Sequence, residues 1–100
     1  MTVFRHSLML RFNSDATDEQ KQALYEGLAT MPHEMDFIRR YEFGPDLGHG
    51  SDNPDMALIA DLDNEDDWRE YSAHPDHLDL INNLARPITA EAIRVQYEVG

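Results

Sequence analysis

Thr2-Val3-Phe4-Arg5-His6-Ser7-Leu8-Met9-Leu10-Arg11-Phe12 alternates residue by residue. Successive side chains of an extended chain point to opposite faces. Phe4, His6, Leu8, Leu10 and Phe12 therefore share one face, and Val3, Arg5, Ser7, Met9 and Arg11 share the other. The first face is apolar apart from one imidazole. The second is mixed. A strand of this kind belongs to a sheet with helices packed on its apolar face and a second face that still wants partial cover.

The rest of the chain supplies that sheet and those helices. Asn13-Ser14-Asp15 reads as a turn, and Thr17-Asp18-Glu19-Gln20 matches a capping box with Thr17 as N-cap. The helix it opens carries Ala23, Leu24, Leu28 and Met31 on one stripe and is expected to stop near Pro32. Met35 to Phe43 reads as a second strand, with Phe37, Tyr41 and Phe43 on one face and Arg39 interrupting it. Gly44 to Asp55 is a polar loop rich in turn residues. Met56 to Leu62 is a third, mostly apolar strand.

Asp63 to Asp67 opens the next helix, with acids where the helix dipole favours them. Pro75 restarts that helix, which ends near Arg86-Pro87. Ala90 to Val99 is the last strand, with Ile93, Val95, Tyr97 and Val99 on one face and Arg94, Gln96 and Glu98 on the other. The order βαββαβ predicts one ferredoxin-like α+β domain over residues 1–100, a four-stranded antiparallel sheet with helices on one face. Val3, Met9, Ala57 and Ile59 on the mixed face point to a second copy of the chain as its cover. Arg5, Met9, Ile59 and Arg94 are expected to lose exposure in that dimer.

Composition narrows the function. One hundred residues, 41% of them hydrophobic, build one small core, and chains of this size often gain stability by pairing. No cysteine is present, so disulfides, thiolate nucleophiles and sulfur metal sites are excluded. That fits a cytoplasmic protein. A net charge of −12 disfavours nucleic acid, which demands a basic footprint. No apolar run reaches membrane-spanning length, and no secretory leader pattern opens the chain.

The residues able to do chemistry gather around Tyr71-Ser72-Ala73-His74-Pro75-Asp76-His77-Leu78-Asp79-Leu80. Pro75 fits the first position of a helix, where its missing N–H costs nothing. His74 then sits near the cap and His77 in the first turn. His6 lies on the sheet face beneath that helix. His6 and His77 are expected to meet in one cavity lined by Phe4, Leu8, Leu24 and Leu28, with Tyr71 and His74 beside it. Histidine titrates near neutral pH and a phenol can donate to a developing oxyanion, so the set suits proton transfer or ligand binding. Trp68 is expected to pack its helix onto the sheet, and His33 and His49 to sit in solvated loops. His74 and His77 are spaced i, i+3, but with His6 they match no established zinc motif. The acidic run from Asp61 to Asp67 lacks the spacing and central glycine of a calcium loop. No metal and no cofactor is expected.

This plan and its residues resemble the Dabb family, the stress-responsive dimeric α/β-barrel domains, over nearly the whole length. The carriers are Arg5-His6-Ser7-Leu8-Met9-Leu10-Arg11-Phe12, Met56-Ala57-Leu58-Ile59-Ala60-Asp61-Leu62, and Tyr71-Ser72-Ala73-His74-Pro75-Asp76-His77. The resemblance implies two ferredoxin-like sheets paired into a closed barrel, a homodimer with its helices outside. It implies a stress-responsive protein, and the residues of the expected cavity add the binding of a small, largely apolar molecule.

One plant branch of the family comprises polyketide cyclases, which close a linear thioester by intramolecular aldol condensation without a cofactor. By motif position His6, Tyr71 and His77 match their strand histidine, tyrosine and helix histidine. On that analogy His77 is the base, Tyr71 the oxygen-holding donor and His6 the positioning partner. A tyrosine on the first helix of those cyclases is matched here by Leu28, with Tyr25 nearly a turn away. Monooxygenases that share the barrel architecture form a third class, to which nothing in the residues points.

Overall fold

The computed structural model describes residues 2–100. Four strands form one antiparallel sheet: β1 (Val3–Phe12), β2 (Arg40–Pro45), β3 (Met56–Leu62) and β4 (Thr89–Val99), in the order β2-β3-β1-β4. Three α-helices connect them: α1 (Asp18–Glu34), α2 (Glu65–Ala73) and α3 (Pro75–Leu80). A π-helical turn (Ile81–Ala85) and a 3-10 turn (Arg86–Ile88) carry α3 into β4. This is the ferredoxin-like α+β fold that the element order predicts.

Register explains which side chains meet. His6 lies opposite Ala60 and Gln96, and Leu8 opposite Leu58 and Arg94. These residues face the helices, where Leu10, Leu24, Leu28, Leu58, Ala60 and Leu62 form the centre of the core. Arg5 lies opposite Asp61 and Tyr97, and Met9 opposite Ala57 and Ile93, on the other face. Strand alternation therefore separates a helix-covered face from an outer face, and Arg94 belongs to the covered one. Its expected place beside Arg5 and Met9 is corrected by its pairing with Leu8.

Helix α1 starts where the capping box places it. The Gln20 backbone N–H donates to Thr17 Oγ1 at 3.1 Å, and the Thr17 N–H donates to Gln20 Oε1 at 2.9 Å. Its end differs from expectation: the helix passes through Pro32 to Glu34, and Met35 closes it by donating its N–H to Met31 at 3.1 Å. Proline in the last turn forfeits one hydrogen bond to Leu28, whereas Met31 and Met35 are both buried on the helix stripe. The alternation from Met35 to Phe43 mixes two elements: the first residue finishes a helix, and β2 begins only at Arg40. His33 consequently lies in the last helical turn, exposed, and not in a loop. No helix among the described residues is long and apolar enough to cross a membrane.

Candidate functional site

The site begins with a proline. Pro75 has no N–H, so the Tyr71 carbonyl loses its regular helical partner and instead accepts from the His74 N–H at 3.3 Å. The chain breaks there, with His74 in an extended conformation. His74 then caps α3: the Asp76 N–H donates to His74 Nδ1 at 3.1 Å. That bond removes the donor which would have served the Ser72 carbonyl. The free carbonyl lies 3.2 Å from His77 Nδ1. A carbonyl only accepts, so His77 carries its proton on Nδ1 and keeps a lone pair on Nε2.

His6 presents the opposite arrangement. Gln96 Nε2 lies 2.8 Å from His6 Nδ1. An amide nitrogen only donates, so His6 Nδ1 accepts and its proton sits on Nε2. The two imidazoles are therefore complementary, one offering a donor and the other an acceptor. Both are neutral near pH 7. Burial pushes the His6 imidazole down to about 4, with the charges of His77 and Arg94 adding to the effect. Burial also lowers His77, opposed by its bond to the Ser72 carbonyl.

Tyr71 lies between them. Its ring centroid is 4.3 Å from that of His77 and 6.2 Å from that of His6. Its hydroxyl is 2.9 Å from the Tyr41 hydroxyl, and burial raises both phenols, Tyr71 to about 12 and Tyr41 further. Either hydroxyl can donate in this pair. When Tyr41 donates, Tyr71 keeps its own hydrogen for a third partner. Tyr41 was legible in the sequence only as a strand residue sharing a face with Phe37 and Phe43, and nothing there paired it with Tyr71.

His6, Tyr71 and His77 line one cavity of about 390 Å³ between the sheet and α1, α2 and α3. Leu8, Leu24 and Leu28 are on its wall, together with Leu58, Trp68 and Ile81. Two residues expected on that wall stand elsewhere. Phe4 stacks on Trp68 with centroids 5.6 Å apart, one rung along the strand from the opening, and His74 spends its ring nitrogen capping α3. Tyr25 is also turned away, stacked on Phe43 at 6.0 Å. Arg86 and Arg94 join the wall, although no motif in the sequence marks either. Among the described residues, no group of three or more His, Asp or Glu side chains is placed to hold a metal ion.

Comparison with known proteins agrees with this architecture. The family profile described as Dabb, Stress responsive A/B Barrel Domain, matches residues 4–99. A dimeric ferredoxin-like protein of unknown function from Thermobifida fusca is 34% identical, with a TM-score of 0.90 over 98% of this chain and 92% of that one. A dimeric protein of unknown function from Bacteroides fragilis is 24% identical, with a TM-score of 0.83 over 97% and 96% of the two chains. The hydroxynitrile lyase of Passiflora edulis shares the fold at 16% identity, with a TM-score of 0.86 over 98% and 94%. A search of curated proteins finds no match.

Proposed function

Because the chain belongs to the Dabb family of stress responsive A/B barrel domains, we propose that it is a cytoplasmic, homodimeric stress-response protein whose cavity binds one small, largely apolar molecule. One observation carries this reading: His6, Tyr71 and His77 all line a single leucine-walled cavity of about 390 Å³. Cavities of a few hundred cubic ångströms hold small organic ligands, with few polar groups fixing their orientation. Both imidazoles are neutral, so the inner wall favours an apolar body, and the only charges lining the cavity among the described residues are the exposed Arg86 and Arg94.

Native mass spectrometry of the protein taken directly from cells tests this reading through the mass of a retained ligand. His77→Ala and Tyr71→Phe each remove one directed hydrogen bond. Each is expected to weaken binding by about tenfold while the fold persists. Unchanged affinity in both variants counts against the cavity as the binding site.

A second reading, acid–base catalysis, is favoured by the free Nε2 lone pair of His77 beside the Tyr71 phenol. In an aldol closure of a polyketide thioester, His77 would take a proton from carbon, Tyr71 would hold the carbonyl oxygen and His6 would orient the substrate. Turnover would then rise with pH as His77 loses its proton, through a midpoint below its ordinary value. Tyr71→Phe and His77→Ala would each lower it by about a hundredfold or more. Wild-type turnover in both variants, with a confirmed substrate, excludes this chemistry.

A further inference from the structure

The arginines of this chain divide into two groups. Arg5, Arg11, Arg39, Arg40 and Arg69 each hold a carboxylate in an ion pair. The remaining two, Arg86 and Arg94, make no ion pair and no side-chain hydrogen bond among the described residues. In a chain of net charge −12, where acids outnumber bases, an arginine without a carboxylate is unexpected. Both of these line the same cavity, and both are exposed, where that cavity meets solvent. Arg94 lies close enough for its charge to act on both His6 and His77.

The polar groups of the wall are also unbalanced. His6 Nε2–H is an available donor, and the Tyr71 hydroxyl is another when Tyr41 donates to it. The indole Nε1–H of Trp68 is buried with no acceptor. Two unpaired guanidiniums add further donors, and these outnumber the side-chain acceptors of the wall, His77 Nε2 and the Ser72 and Thr89 hydroxyls. A wall rich in donors and poor in acceptors is completed by a ligand rich in acceptors.

We propose that the ligand is an anionic amphiphile, an apolar body filling the leucine-lined interior with a carboxylate seated at Arg86 and Arg94. This deepens the binding reading above and rests on it. A planar guanidinium recognises a carboxylate through paired N–H bonds, which a neutral polar group reproduces poorly. The local pair of cations also overcomes the repulsion that the acidic surface presents to any anion.

Titration calorimetry of the full chain with octanoate and with neutral octanamide, at pH 7.5 and low salt, tests the assignment. Octanoate is expected to bind about tenfold more tightly than octanamide, with a gap that narrows as salt is added. Arg94→Gln and Arg86→Gln should each narrow it, and the double variant should abolish it. Octanamide affinity should stay within about twofold throughout. Both arginines are exposed, and circular dichroism checks that the variants remain folded. If octanamide binds wild type as well as octanoate, or if the preference survives in the double variant, the carboxylate site is wrong while the apolar cavity stands. If neither probe binds, the cavity reading falls and the carboxylate site with it.

Discussion

His6 shows how one residue connects cavity and stability. Its ring is buried, accepts from Gln96 and faces no carboxylate that would favour its charge. In the unfolded chain it titrates near 6.5, whereas in the fold it takes a proton only at about 4. Between those values the unfolded state binds more protons, so stability falls as pH drops through this window. The full loss amounts to roughly 3 kcal/mol. Denaturant unfolding at intervals from pH 7.5 to pH 4 measures it. His6→Gln keeps an acceptor for Gln96 without a titrating group, and is expected to flatten the slope between about pH 6.5 and pH 4. An unchanged slope places the responsible proton elsewhere.

The inward position of His6 was legible from the alternation of a single strand, and so was its company with Leu8. The tautomer was not, because it depends on Gln96, ninety residues later in the chain. Arg94 was misplaced for the same reason. Ile93 and Val95 marked one face of β4 and Arg94 the other, but only the pairing of Arg94 with Leu8 says which face the helices cover.

At the scale of elements, the break between α2 and α3 positions the chemistry. The proline, the cap and the first-turn histidine were all legible as Ala73-His74-Pro75-Asp76-His77. What the sequence left open was which histidine serves the helix and which serves the cavity. The hydrogen bonds divide the labour: His74 closes α3 and His77 takes the carbonyl that this closure releases. His74→Ala should therefore lower stability by about 1 kcal/mol, the usual worth of an N-cap, and His74→Asn should restore most of it. Ligand affinity should change little in either variant, in contrast to His77→Ala. Thermal melts and a binding titration on the same samples separate the two roles. A large affinity loss in His74→Asn would return His74 to the binding site.

The misread segment at Met35 has a related cause. Met35 and Phe37 satisfy a strand period by accident. Met31 and Met35 satisfy a helix period four residues apart, and burial of both decides in favour of the helix. The π-helical turn after α3 had no sequence signal. It brings Ile81 and Ala85 onto the cavity wall, and Arg86 follows in the 3-10 turn.

The largest scale concerns the uncovered face of the sheet. Met9, Ile93, Val95, Tyr97 and Val99 are exposed there, from 36% to 50%, on two adjacent strands. Between them and β2 lies an Arg5–Asp61 pair, closed by two bonds of 2.7 and 2.9 Å, with the Asp61 carboxyl held below its ordinary range by that guanidinium. Arg40 and Glu42 pair beside it. The charges of this face are mutually neutralised, whereas the acid excess of the chain lies elsewhere. An apolar, charge-balanced sheet face on an otherwise acidic protein suits a twofold partner that presents the same patch.

Two copies bring two net charges of −12 together, so added salt should tighten the dimer by screening repulsion at its rim. Val95 is half-exposed in the single chain, and Val95→Glu should leave the fold intact while placing like charges against each other across the axis. Sedimentation at micromolar concentration is expected to give twice the chain mass for the parent protein and about 11.5 kDa for Val95→Glu, with matching circular dichroism. An 11.5 kDa parent species at every salt concentration would leave the face unpartnered by its own copy. A parent dimer that Val95→Glu fails to dissociate would place the interface on the helical side instead.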